Sequence, residues 1–115
     1  MTIEIKDTNK IIEIKGGHAG IIPAMFVKIL KLQYKQRLEV TLTENNELHI
    51  TPIQKTDYTK DEAFKISKAM SVRKIGGSLM IGIPKAFFEV LELKLHDVIE
   101  WELEFDGTII MRFNV

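Results

Sequence analysis

IIPAMFVKILKL at residues 21–32 and GIPKAFFEVLEL at residues 82–93 are two versions of one string. At a constant offset of 61, Ile22 meets Ile83, Pro23 meets Pro84, Phe26 meets Phe87, Leu30 meets Leu91 and Leu32 meets Leu93. The offset runs on without a gap, setting Leu38 on Ile99, Glu39 on Glu100, Leu42 on Leu103, Asn45-Asn46 on Asp106-Gly107 and Leu48 on Ile109. Self-similarity of this kind decides an architecture before local propensity does. The chain is therefore read as a duplicated unit, with copies at 10–53 and 71–115. As domains this gives a first repeat over 1–53, a connector over 54–70 and a second repeat over 71–115.

Each copy reads as strand, glycine-containing loop, short strand, short helix and hairpin. The helices are placed by Pro23 and Pro84 in the first turn, where the missing N–H goes unneeded. Met25, Phe26, Ile29 and Leu30, and then Ala86, Phe87, Val90 and Leu91, follow at one-face spacing. Helices this short depend on packing for their stability. The next strands alternate: Leu38, Val40 and Leu42 against Glu39 and Thr41, and Ile99, Trp101 and Leu103 against Glu100, Glu102 and Glu104. One face is core, and the glutamate row is expected in water.

Alternation also fixes the hairpin register. A two-residue Asp106-Gly107 loop would pair Leu103 with Ile110 and turn Ile109, Met111 and Phe113 onto the glutamate face. A three-residue loop, Phe105-Asp106-Gly107 with Gly107 left-handed, sets Leu103 opposite Ile109 and Trp101 opposite Met111. Copy one requires the same loop at Glu44-Asn45-Asn46, with Asn46 tolerating the left-handed position. In the connector, Thr59-Lys60-Asp61-Glu62 has the form of a capping box, which predicts a third short helix over 60–69.

A chain of 115 residues is one domain, or two small units that must share a core. Apolar residues at 45% and charged residues at 28% suit a globular fold. Sixteen Lys plus Arg balance sixteen Asp plus Glu, so nucleic-acid affinity would have to come from a local basic patch. The absence of Cys excludes disulfides, a thiolate nucleophile and cysteine zinc sites. No apolar run reaches bilayer length and the N-terminus alternates and carries acids, so a cytoplasmic protein with no membrane partner is expected. His18, His49 and His96 are scattered without an i,i+4 pair, and neither a metal nor a cofactor is expected. No nucleophile, base and orienting group stand in a recognisable pattern, so no catalytic residue is assigned and the reading is of a non-enzyme.

The stretch SVRKIGGSLMIGIPKAFFEVLELKLHDVIEWELEFDGTIIMRF, 71–113, resembles the AbrB/MazE/SpoVT family of swapped-hairpin DNA-binding domains. The resemblance lies in Val72-Arg73-Lys74-Ile75-Gly76, Ile83-Pro84-Lys85, Leu91-Glu92-Leu93, Asp97 and Asp106-Gly107, taken in order. Copy one keeps Gly16, Ile22-Pro23 and Leu30-Lys31-Leu32 but has Gln36 where copy two has Asp97. Lys31 and Glu92 stand where the family often carries a helix-ending glycine.

The resemblance implies a mostly β fold with short helices. It would be a swapped-hairpin or cradle-loop β-barrel built from two β-β-α-β-β repeats joined by a short helix. The repeats would pair as an intramolecular pseudo-dimer or within a homo-oligomer. It further implies double-stranded DNA as partner and a role in transcription regulation. A second role in the family is antitoxin and autorepressor, with a toxin protein as partner. Family antitoxins carry a C-terminal tail that wraps the toxin; here the last strand ends near Phe113, and a plain regulator is expected.

At the family's positions, Arg73 and Lys74 on the first strand of copy two are the DNA contacts, the guanidinium fork suiting phosphate or guanine and the ammonium acting as a point charge. Ser78 in the Gly76-Gly77 loop, and Lys85 at the helix start, are further candidates. Copy one offers Lys15 and His18, with Lys10 nearby, but has Ile12 and Glu13 at the positions of Arg73 and Lys74, so a symmetric DNA face is not expected. The rival from another class is a protein-interaction module on a cradle-loop or double-psi-like barrel, favoured by zero net charge and the acidic row.

Overall fold

The strands of one half of the chain pair with strands of the other half, and this exchange organises the molecule. A computed structural model describes residues 5–53 and 66–113. The first half contains β1 (Ile5–Lys10), β2 (Ile12–Ile14), β3 (Gly17–Ile21), α1 (Ala24–Leu30), β4 (Arg37–Leu42) and β5 (Leu48–Pro52). The second contains β6 (Ile66–Ser71), β7 (Arg73–Ile75), β8 (Ser78–Ile83), α2 (Lys85–Val90), β9 (Val98–Leu103) and β10 (Ile109–Phe113). The offset of 61 carries β1, β2, β4 and β5 onto β6, β7, β9 and β10 residue for residue.

The structure is mostly β, in a curled, barrel-like arrangement with two short helices. A six-stranded antiparallel sheet runs β1-β9-β10-β5-β4-β6, and a four-stranded one runs β2-β3-β8-β7. β1 pairs with β9 of the other half, Ile5 opposite Leu103 through Lys10 opposite Val98. Reciprocally, β6 pairs with β4, Ile66 opposite Leu42 through Ser71 opposite Arg37. The halves also meet at Ile110 opposite His49 and at Gly20 opposite Ile81, pairs whose members are themselves 61 apart, so a pseudo-two-fold axis passes through both.

Between β1 and β2, Ile11 is wholly buried and exchanges backbone hydrogen bonds with the far loop: its N–H donates to the Asp97 carbonyl (2.9 Å) and its carbonyl accepts from His96 (3.1 Å). Val72 does the same with Gln36 and Lys35, at 2.8 Å each. Each half is thus held to the other by main-chain bonds as well as by core contacts.

Two expectations about the connector are corrected. Residues 54–65, where the capping box falls, lie outside the described residues, but 66–69 belong to strand β6 and not to a helix. Pairing along β4 outweighs the local helix signal, as tertiary context commonly does. The repeats accordingly begin at Ile5 and Ile66, earlier than the sequence pattern placed them.

The hairpin register is as alternation requires. Val40 faces Ile50 and Leu42 faces Leu48, while Trp101 faces Met111 and Leu103 faces Ile109. Asn46 (φ 62°) and Gly107 (φ 93°) occupy the left-handed positions. Pro23 and Pro84 stand one residue earlier than expected, at the N-cap with ψ near 135°, where their carbonyls accept the first helical bonds from Phe26 and Phe88. A left-handed residue follows each helix, Lys31 (φ 54°) at the C-cap of α1 and Glu92 (φ 53°) one residue past the right-handed C-cap Leu91 of α2. The next N–H, of Leu32 or Leu93, then reaches back five residues to Val27 or Phe88, and both leucines are buried.

Phe26 and Phe87 anchor the helices in the core with Trp101, Ile99, Leu48, Ile50 and Met111. The remaining helix stripe is wetter than expected: Met25, Ile29 and Val90 are exposed, because helices this short turn only one side toward the sheets. Glu102 also departs from expectation. Its side chain is only 13% exposed and pairs with Arg112 (3.2 Å) and Lys6 (3.6 Å), so the glutamate row is not uniformly in water.

Candidate nucleic-acid interface

A concave cleft of about 680 Å³ opens between the β2–β3 turn of the first half and β6, β7 and α2 of the second. Its basic side chains come from four separate segments: His18 on β3, Lys68 on β6, Arg73 on β7 and Lys85 on α2. Its floor is apolar, with Met70, Ile83, Pro84, Ala86 and Phe88, and Gly16-Gly17 form one lip. Among the described residues Glu89 is the single acidic side chain lining it.

Local structure explains the convergence. β7 is an edge strand paired with β8, Arg73 opposite Met80, so the arginine lies on the same face as its partner across the ladder and as Gly82 beyond. Lys74, one residue on, points to the opposite face by strand alternation. β6 passes over β8 closely enough that a Cβ on Gly82 would lie 3.0 Å from Met70 Cε, and this crossing brings Lys68 to the cleft. The His18 ring stacks on Phe88 with centroids 4.0 Å apart and planes 9° from parallel, fixing the first half's turn against α2.

Of the residues singled out from sequence, Arg73, Lys85 and His18 come together here. Lys15 is exposed on the turn beside Gly16. Lys74 and Ser78 are exposed but do not line the cleft: Lys74 faces away, and Ser78 follows the other hairpin's turn. Lys68 and Phe88 were missed. Lys68 fell in the expected helix, and Phe88 carried no signal beyond its apolarity.

Lys68, Arg73 and Lys85 are all exposed, and among the described residues none of them is in an ion pair. The ion-paired arginine is elsewhere. Arg112 bridges Glu47 and Glu102, and those hydrogen bonds raise its pKa further above an already basic value. Glu47 is pushed up by burial, but Arg112 and His49 outweigh this and hold it below the ordinary carboxylate range. Glu102 is lowered chiefly by Arg112. Among the described residues no group of three or more His, Cys, Asp or Glu is placed to hold a metal ion. Among the described residues no helix is long and apolar enough to cross a membrane.

The chain matches no family model, no curated protein and no solved structure.

Proposed function

We propose that this chain is a DNA-binding regulator of the AbrB/MazE type, with both units of a swapped-hairpin barrel carried on one polypeptide. Three features support the unit assignment: the reciprocal β1–β9 and β6–β4 exchange, the buried Ile11 and Val72 bonded through their backbones to the opposite half, and left-handed residues after the helices where the family often carries glycine.

The observation that carries the DNA reading is the gathering of Lys68, Arg73 and Lys85, in no ion pair among the described residues, with His18 on one side of a chain with no net charge. Such a patch attracts a polyanion locally, through phosphate contacts that position the protein. Lys15 on the neighbouring turn extends the positive surface, while Lys74 lies on the other face of β7. The face is one-sided, because the pseudo-two-fold mates of Lys68, Arg73 and Lys85 are Asp7, Ile12 and Ala24. One chain therefore presents one phosphate-binding edge.

The test is anisotropy titration of a fluorescent duplex pool with wild type, with Lys68→Gln/Arg73→Gln/Lys85→Gln and with the control Lys28→Gln/Lys31→Gln. The cleft triple is expected to weaken binding by at least about tenfold while the control stays within about twofold, a tenfold loss being ~1.4 kcal/mol. Equal losses would overturn the assignment.

A further inference from the structure

The cleft has a second copy of its own frame to be compared with. At the offset of 61, Lys68, Arg73, Lys85 and His18 correspond to Asp7, Ile12, Ala24 and Leu79, and Glu89 corresponds to Lys28. The same strands and helix build both surfaces, so the fold itself has no need of these basic residues. They gather at one cleft only, and there they border a wall of Met70, Ile83, Ala86 and Phe88.

Phosphate contacts alone do not call for that wall. A duplex backbone is met by cations on an open surface, whereas this cleft is concave, of small-molecule size, and apolar inside with charge at its rim. Phe88 already holds one flat ring, His18, against its face. We infer that the cleft binds a small amphipathic anion: an aryl or alkyl carboxylate whose apolar body lies on Met70, Ile83, Ala86 and Phe88 and whose carboxylate meets Arg73, with Lys68 and Lys85 adding positive charge. A guanidinium takes a carboxylate in a two-pronged hydrogen bond, which fixes the head group while the wall removes the body from water. Glu89 at the rim disfavours a second negative charge on the body, so the ligand carries a single anionic group. The inference does not depend on the DNA reading, although both use Arg73 and Lys85. Its consequence for that reading is that an occupied cleft has lost part of the positive edge.

The probe is 2-naphthoate, added to the whole 15N-labelled chain without DNA and followed by amide chemical shifts. Its two comparators are 2-naphthamide, the same body without the charge, and inorganic phosphate, charge without the body. Saturable shifts confined to Gly16–His18, Met70 and Gly82–Glu89 are expected, with both comparators at least about tenfold weaker. Arg73→Gln should bring naphthoate affinity down to that of naphthamide, and Lys28→Gln should leave it unchanged; the spectrum of each variant reports that it is folded. Naphthamide binding as well as naphthoate would overturn the inference. So would shifts that centre on the exposed apolar residues Met25, Ile29 and Phe105, or an absence of saturable shifts. Adding the duplex pool afterwards separates the two readings: naphthoate bound with no duplex affinity refutes only the DNA reading, and duplex bound with no naphthoate response refutes only this one.

Discussion

Replacing Gly20 by isoleucine should unfold or severely destabilise the chain, and a second substitution at Trp101 should restore much of the loss. Gly20 lies on the pseudo-two-fold axis opposite Ile81, its own counterpart in the other half. A Cβ at Gly20 would stand 2.8 Å from Ile99 Cδ1, 2.8 Å from Trp101 Cζ2 and 3.2 Å from Met111 Cε. None of these can move aside easily. All three are 1% exposed or less, and the Trp101 indole is pinned by a 2.7 Å hydrogen bond from Nε1 to Asn9 Oδ1 and by an edge-on contact with Phe26. In the other half the sizes are reversed, with Ile81 where Gly20 would be and Val40 where Trp101 would be. Small faces large on one side of the axis and large faces small on the other.

Overpacking by one methyl, Gly20→Ala, should cost about 1–3 kcal/mol, and the larger isoleucine more. For a domain of this size each ~1 kcal/mol lowers Tm by about 4 °C. Gly20→Ile/Trp101→Val copies the other half's pair, and its coupling energy should be favourable by about 1–3 kcal/mol in a double-mutant cycle. The readout is urea unfolding by far-UV circular dichroism, since Trp101 is the chain's one tryptophan and its fluorescence is lost in the variant. Gly20→Ile within about 0.5 kcal/mol of wild type, or strictly additive losses in the double variant, would refute the packing argument.

Other expectations follow from single contacts. Gly107→Val should cost about 1–2 kcal/mol from its left-handed backbone alone, since the new Cβ would meet Leu30 only at an ordinary 3.6 Å; urea midpoints check this, with Asn46→Gly expected near neutral. Glu92→Gly should raise stability by up to about 1 kcal/mol by relieving a left-handed helix end, read as a higher Tm. Glu47 and Glu102 have lowered pKa values when folded, so their contribution is complete above the unfolded carboxylate value near 4.5 and is lost as pH falls below it. Arg112→Gln should therefore flatten the acid side of the stability–pH curve, and an unchanged acid limb would remove the network from the account. Fragments 1–53 and 66–115 should each fail to fold as monomers, because β1 and β6 would lose the strands they pair with; a cooperative, concentration-independent melt of either would contradict the exchange.

The hairpins were legible in the sequence because their determinants are local: strict alternation, and Gly107 or Asn46 at the one position that must be left-handed. The duplication was legible through Pro23/Pro84 and the Leu-x-Leu exits, which serve the same turn in both halves. β6 was not, although Ile66 through Ser71 alternates with apolar residues at 66 and 70. Its partner β4 lies more than twenty residues away, and a nearby capping signal competed. Only Ile5 and Ile66 match along that stretch at the offset, so the repeat gave little help there. The cleft was half legible for the same reason. Arg73, Lys85 and His18 stand out by type, but Lys68 reaches them only through the long-range pairing of β6, and the His18–Phe88 stack joins residues 70 apart.

The central claim, that the cationic edge of the second half binds nucleic-acid phosphate, is tested most directly by affinity for a duplex pool across a salt series. Wild type should give a slope of log affinity on log salt of about −3, and each of Lys68→Gln, Arg73→Gln and Lys85→Gln should reduce it by about one. No measurable binding at low salt, or a slope unchanged when all three are replaced, would contradict it.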